Sequence, residues 1–236
     1  MKKIFLALFI LGALPFQSNA QQWLTIKGGG GISMVPGYGG TLPGVSINSG
    51  IGYKHQISKR LILEGDILLD TRAVSYETGV YDANDKMVYF EGASQYIQVP
   101  LTAQLIIPFK KKQLIPYRIG QPKSFFFIEG GPYFSYGTSV STYNDPDIIA
   151  LWGASDAFTA DDLTPRNIDV GVTGGFGLNF SIREGKSRLV VGTRANYGML
   201  NMFTDDRLGT ASNFSAVGYL ALDLRLTKRN HIKHRW

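Results

Sequence analysis

The chain has 236 residues and no cysteine, and 18% of its residues are charged, with a formal net charge of +6. The lack of cysteine excludes a disulfide framework and a lipid-modified cysteine. Glycine (28 residues) and aromatic residues (12%) are abundant, which is typical of many short strands joined by turns.

The N-terminus has the pattern of a secretory signal peptide. Two lysines precede an apolar stretch at 4–14, and small residues follow where a signal peptidase reads the chain. The apolar stretch is shorter than the about 20 residues that a membrane-spanning helix needs. We therefore predict a signal peptide at 1–20, cleavage before Gln21 and one mature domain at 21–236. Export also excludes nucleic acid as the partner of the basic chain.

After residue 20, several segments alternate between apolar and small or polar residues, which is the period of a β-strand. The pattern predicts eight strands, at 24–34, 45–54, 61–70, 96–107, 125–137, 168–182, 188–198 and 216–226. One face of each strand suits hydrocarbon, and the other suits water or a polar interior. Pro100 and Pro132 cannot donate a ladder hydrogen bond, so we expect a bulge or a local twist at each.

The alternation alone also fits a soluble β-sandwich, which buries its apolar face and leaves its polar face to solvent. The predicted strands are about 10 to 15 residues long, which suits tilted strands that cross a bilayer. We predict an all-β fold, an eight-stranded antiparallel transmembrane β-barrel with up-and-down meander order, in the cell outer membrane. Outward aromatic residues should form two interfacial girdles, with Trp23, Tyr53, Phe109, Phe126 and Phe180 at one end and Tyr136 and Tyr197 at the other.

An even number of strands places both termini on the periplasmic side. The expected periplasmic turns are 55–60, 108–124 and 183–187, and the expected outer loops are 35–44, 73–95, 138–167 and 199–215. The outer loops are mostly acidic and the periplasmic side is mostly basic. One interpretation is that these charges are only solvated. The other is that they bind partners: the acidic outer loops would bind divalent cations that bridge to lipopolysaccharide, and the basic periplasmic side would bind anionic lipid or an acidic protein. No spacing matches a calcium loop, and we predict no metal site and no cofactor.

An eight-stranded barrel is filled by its own side chains, so we expect no general pore. Ten inward positions carry charges of both signs, and an unpaired charge in this enclosed space would be costly. We therefore predict a salt-bridge network in the lumen. Its members are Lys27, Lys54, Glu64, Asp66, Glu129, Asp169, Arg188, Arg194, Asp223 and Arg225.

Two clusters are candidates for contact with other proteins. A candidate periplasmic partner patch, suited to an acidic partner, consists of Lys110, Lys111, Lys112, Arg118, Lys123, Lys228 and Arg229. A candidate outer-loop contact is an apolar cluster that is either tucked over the barrel mouth or exposed for a partner. It consists of Ile148, Ile149, Leu151 and Trp152.

Small outer-membrane barrels include lipid-modifying enzymes, whose common designs need a histidine base beside a serine or tyrosine. The three histidines of the chain, His55, His231 and His234, map to a periplasmic turn or to the C-terminal tail. We therefore predict no catalytic site and keep a lipid-modifying enzyme as a minor alternative.

Four segments resemble a known family. The segment 96–101 (YIQVPL) is similar to the fourth-strand motif of the PorT-type outer-membrane β-barrel family of the Bacteroidetes, and 26–29, 127–133 and 174–177 support the likeness. The resemblance implies the barrel fold. It also implies an accessory role in protein secretion across the outer membrane, with secretion-machinery proteins as partners beside outer-membrane lipid and lipopolysaccharide. The alternative is a structural or surface-adhesion barrel that binds partners through its outer loops.

Overall fold

The structure, a computed structural model, describes residues 21–36, 41–58, 60–81, 87–109, 124–142, 166–182, 186–201 and 211–226. They form β1 (Gln22–Met34), β2 (Thr41–Gln56), β3 (Leu61–Tyr81), β4 (Met87–Pro108), β5 (Ser124–Thr142), β6 (Ile168–Ile182), β7 (Ser187–Gly198) and β8 (Phe214–Arg225). Each strand pairs antiparallel with its neighbours in the chain, and β8 pairs with β1, which closes the barrel. The predicted eight-stranded antiparallel meander is confirmed. Nowhere among the described residues is there a helix long and apolar enough to cross a membrane.

The two faces of each strand differ as the alternation predicts. On β6, Val172 and Phe176 are 51% and 55% exposed on the outside, whereas Asp169 and Thr173 are buried in the lumen. Exposed isoleucine, leucine, valine and phenylalanine side chains cover the outer face of all eight strands. Such a surface is stable only in hydrocarbon, and a closed barrel satisfies its own backbone there. The protein is therefore a membrane-spanning barrel of the outer membrane.

β3 and β4 are longer than the sequence predicts, with 21 and 22 residues. The expected outer loop at 73–95 is wrong, because β3 continues to Tyr81 and β4 begins at Met87. β5 likewise extends to Thr142, into the expected loop at 138–167. Beyond the membrane neither face of a strand has to be apolar, so the backbone ladder continues there without the alternation that revealed it.

Of the bulge or local twist expected at Pro100 and Pro132, the bulge does not occur at either proline. Pairing between β4 and β5 stops after Pro100 and resumes at Ala103 in the same register. A proline removes one donor from the ladder, but a register shift requires an extra residue on one strand. The shift between these two strands lies instead at Gln95 and Tyr96.

One predicted girdle residue faces the wrong way. Trp23 is fully buried in the lumen, since it shares the inward face of β1 with Thr25 and Lys27. The other six lie on the outer face, with Phe126 half-buried and the rest more exposed. These are Tyr53, Phe109, Phe126, Tyr136, Phe180 and Tyr197.

Candidate functional site: the charged lumen

The ten charged residues predicted to face inward lie on seven of the eight strands and alternate with outward apolar residues. Nine of them are at most 5% exposed. Arg225, at the end of β8, is half-buried. The structure therefore brings all ten to the inner wall, but it divides them into three groups at different heights.

Seven of the ten form one connected set of ion pairs, which we call the central network. Its members are Lys27, Lys54, Glu64, Asp66, Glu129, Arg194 and Asp223. Its most connected cation is Arg194, on β7. The Arg194 guanidinium lies 2.8 Å from Glu129 Oε1, 2.8 Å from Asp66 Oδ2 and 3.7 Å from Glu64 Oε2. One side chain thus joins β7 to β3 and β5 across the lumen.

Two lysines complete the central network. Lys27 Nζ lies 2.7 Å from Glu64 Oε1 and 2.8 Å from Asp66 Oδ2. Lys54 Nζ donates to both oxygens of Asp223 at 3.0 Å and lies 3.6 Å from Glu64. Each carboxylate therefore faces at least one cation, which offsets the cost of burying these charges.

A second group lies nearer the end of the barrel that the sequence predicts to face outward. Arg72 Nε lies 2.7 Å from Asp70 Oδ2, and Arg72 Nη1 lies 3.4 Å from Asp169 Oδ2. The Tyr133 hydroxyl also donates to Asp169, at 2.8 Å. Asp169 therefore does not join the central network, contrary to the prediction. The predicted β3 ended at residue 70, and continuing its alternation two residues further would have revealed Arg72.

Neutral side chains that no sequence pattern indicates also bind the network. Gln104 Nε2 donates to Glu64 and to Glu129. The Tyr219 hydroxyl donates to Glu129 at 3.4 Å, and the Lys27 ammonium lies 5.4 Å from the centre of the Tyr219 ring. No charge pattern identifies such residues, because their role depends on which strand lies opposite.

An apolar layer adjoins the central network on the side that is predicted to face the periplasm. It consists of Ile62, Ile106, Phe125, Phe127, Val190 and Ala221, with Tyr219 in contact. On β3, β4 and β5 these residues occupy the next inward positions after Glu64, Gln104 and Glu129 toward the periplasm. On these three strands, network residues and apolar residues therefore occupy successive inward positions, whereas on β8 Asp223 lies one inward position beyond Ala221.

A third group lies at the predicted periplasmic end. The Arg188 guanidinium carbon lies 3.9 Å from the centre of the Trp23 ring and 5.5 Å from that of Phe125. The Arg225 guanidinium lies 5.4 Å from the same Trp23 ring. Among the described residues, Arg188 makes no ion pair with the central network, so the predicted network is smaller than ten. The rings of Trp23 and Phe125 contact the Arg188 guanidinium, although Asp223 is its cross-strand neighbour.

Several predicted features lie outside the described residues. These are the signal peptide at 1–20, His231, His234, the candidate periplasmic partner patch at Lys110, Lys111, Lys112, Arg118, Lys123, Lys228 and Arg229, and the candidate outer-loop contact at Ile148, Ile149, Leu151 and Trp152. His55 lies within β2 rather than in a turn, half-buried, with its ring 6.4 Å from that of Tyr53. In the described part of the chain, no group of three or more histidines and carboxylates is arranged to hold a metal ion.

No family model matches the sequence, and no curated protein matches it. Solved outer-membrane proteins resemble the structure. OprG from Pseudomonas aeruginosa is 8% identical, with a TM-score of 0.47, and the match covers 88% of this chain and 97% of that chain. Neisserial surface protein A is 10% identical (TM-score 0.42; 85% and 96% covered), and the N-terminal β-barrel domain of Pseudomonas aeruginosa OprF is 12% identical (TM-score 0.37; 88% and 99% covered). These likenesses concern the fold alone.

Proposed function

We propose that this outer-membrane barrel has no general pore and serves as an accessory factor in protein secretion across the outer membrane. The observation that supports the proposal is the central network together with the apolar layer beside it. Side chains 2.7 to 2.8 Å apart span the lumen from β1 and β7 to β3 and β5. A lumen filled in this way does not pass solutes, so the barrel acts through its ends.

The charge of the periplasmic end supports a partner on that side. In the described turns, Arg60 and Lys186 are exposed there. The candidate periplasmic partner patch adds seven more cations in the sequence. A basic face attracts and orients an acidic partner by charge complementarity. The resemblance of 96–101 in β4 to the PorT-type motif favours secretion machinery as that partner.

The absence of a pore can be tested by reconstitution. We expect the purified barrel in planar lipid bilayers to show no stable stepwise conductance, under conditions in which a general porin does. Reproducible unitary currents from the wild-type protein would contradict the proposal, since they require a continuous aqueous path past Arg194 and Glu129.

The secretory role can be tested by charge reversal. Changing Lys110, Lys111 and Lys112 to Glu should impair export of cargo proteins and leave the barrel assembled, as judged by heat-modifiable migration on gels. Reversing three outer acidic residues, Asp156, Asp161 and Asp162, to Lys is the matched control and should leave export unchanged. Normal export in the Lys110 to Lys112 variant would count against a periplasmic partner at this patch.

A surface-binding barrel is the second candidate, and one observation favours it. β3 and β4 pair as far out as Tyr81 and Met87, whereas the pairing of β5 with β6 ends at Tyr136. The wall of the barrel is therefore taller on the β3–β4 side and offers a scaffold for outer contacts. If replacing 146–153 with a Gly/Ser linker abolishes binding to cells or matrix while export is normal, this second function is correct.

Catalysis is not part of the proposed function. A triple variant with His55, His231 and His234 changed to Ala tests this directly. Loss of a lipid-modifying activity in that variant, with the barrel intact, would show that the protein is an enzyme after all.

A further inference from the structure

The described lumen carries equal numbers of basic and acidic side chains, but not every basic side chain is paired with an acidic one. Six are basic and six are acidic, namely Lys27, Lys54, Arg72, Arg188, Arg194 and Arg225 against Glu64, Asp66, Asp70, Glu129, Asp169 and Asp223. Arg72 lies between two carboxylates at the outer end, and three carboxylates surround Lys27 and Arg194 in the middle. Asp223 is the direct cross-strand neighbour of Arg188, but it is bound by Lys54, which also pairs with Glu64. Arg188 therefore lies beside a carboxylate that another cation already holds.

Asp223 is already engaged. Its two oxygens accept hydrogen bonds from Lys54 Nζ at 3.0 Å, and Oδ1 also accepts one from the Thr25 hydroxyl at 2.9 Å. Arg188 is the direct cross-strand neighbour of Asp223 on β7. Even so, among the described residues no carboxylate oxygen lies within 4.0 Å of an Arg188 nitrogen.

Arg188 is buried without a hydrogen-bonded counter-charge. It is 3% exposed, and its Nε and Nη1 atoms have no hydrogen-bond partner among the residues that the structure describes. The rings of Trp23 and Phe125, at 3.9 and 5.5 Å, interact with the guanidinium by cation–π attraction. The N–H groups of a guanidinium lie in its plane and need acceptor atoms, which aromatic rings do not supply. Burying a guanidinium whose N–H groups have no acceptor costs free energy, and an acceptor that binds these groups removes the cost.

We propose that the periplasmic mouth of the barrel is a binding site for an oxyanion, a carboxylate or phosphate group, held in the plane of the Arg188 guanidinium with Trp23 as the wall of the site. The positive charge of the buried Arg188 guanidinium favours a charged acceptor over a neutral one. Arg225, 5.4 Å from the centre of the same indole ring, adds to the field without having to contact the anion. The site does not depend on the role of the protein in secretion.

Trp23 makes the site observable. The chain has three tryptophans, so changing Trp152 and Trp236 to Phe leaves Trp23 as the only indole. The full-length barrel carrying these two changes, in detergent micelles that expose both ends, is titrated with sodium phosphate, sodium acetate and a hexaglutamate peptide at constant ionic strength. We expect a saturable change in Trp23 fluorescence, and we expect chloride to weaken it by competition.

Two variants of Arg188 and one control identify the contact. Arg188→Gln should weaken anion binding at least tenfold, and Arg188→Lys should weaken it less, because the charge is kept and the planar set of donors is lost. Arg60→Gln, which removes an exposed cation at the same end, should leave binding unchanged. The Arg188→Lys variant serves the test if Arg188→Gln does not assemble into a heat-modifiable barrel.

Each outcome decides the inference. A response to phosphate or acetate identifies a site for free anions, and a response to the peptide alone identifies a site for carboxylates carried by a protein. Either supports the proposal. The absence of a saturable response in the protein with wild-type Arg188, or an undiminished response in the Arg188 variants, overturns it and shows that the two aromatic rings alone satisfy Arg188.

Discussion

Arg194→Ala should destabilise the barrel strongly, because Arg194 pairs with three of the four carboxylates of the central network. In the wild type it lies 2.8 Å from both Glu129 and Asp66. Without it, Asp66 retains Lys27 at 2.8 Å. Within the described part of the chain, Glu129 then retains only neutral donors, Gln104 at 2.9 Å and Tyr219 at 3.4 Å. The variant therefore leaves one buried carboxylate without a cation.

The size of the effect follows from this loss. Removing one partner of a buried ion pair costs about 3–5 kcal/mol, most of which is the burial of the remaining charge. A second change, Glu129→Gln, removes that charge and nearly preserves the side-chain shape. The double variant Arg194→Ala/Glu129→Gln should therefore be more stable than Arg194→Ala alone, by about 2 kcal/mol, the part of the penalty that belongs to the uncompensated charge.

The measurement is reversible urea unfolding of the barrel in lipid vesicles, followed by tryptophan fluorescence and by heat-modifiable migration on gels. Arg60→Ala, an exposed arginine at the periplasmic end, is the control and should change the free energy of unfolding by less than about 0.5 kcal/mol. An unchanged midpoint for Arg194→Ala would refute a stabilising role of the network. A double variant less stable than Arg194→Ala would refute the assignment of the cost to Glu129.

Three further predictions concern the barrel wall and its orientation. Gly131→Ala should prevent assembly, because the added Cβ would overlap a backbone carbonyl oxygen of β4. Gly130→Ala is the control, since its Cβ would lie 3.6 Å from the nearest atom. It should assemble normally, as judged by heat-modifiable migration on gels. Ile67→Lys places a charge on the lipid-facing wall, where Ile67 is 58% exposed, and should lower the free energy of unfolding by about 2–4 kcal/mol. On intact cells, added protease should cut within 143–165 and spare 110–123, and the opposite result would invert the orientation.

The residues of individual strands predict much of the fold. β6 begins and ends where its alternation does, at 168 and 182. Period-two patterning is a strong signal wherever one face of a strand meets lipid and the other meets a polar lumen. The same patterning identified nine buried lumen charges. It gave no signal at the outer ends of β3 and β4, since residues beyond the membrane are free of this constraint.

The sequence by itself determined which residues face lipid and which face the lumen, because the direction of a side chain depends only on its position along its own strand. The tertiary structure decided which lumen residues meet. Arg194 and Asp66 are 128 residues apart in the chain, and Lys54 and Asp223 are 169 apart, so their contacts depend on closure of the barrel and on the register between strands. Closure of the barrel also brings Asp223 to Lys54 and Arg188 to Trp23. The spacing of residues along one strand cannot predict either contact.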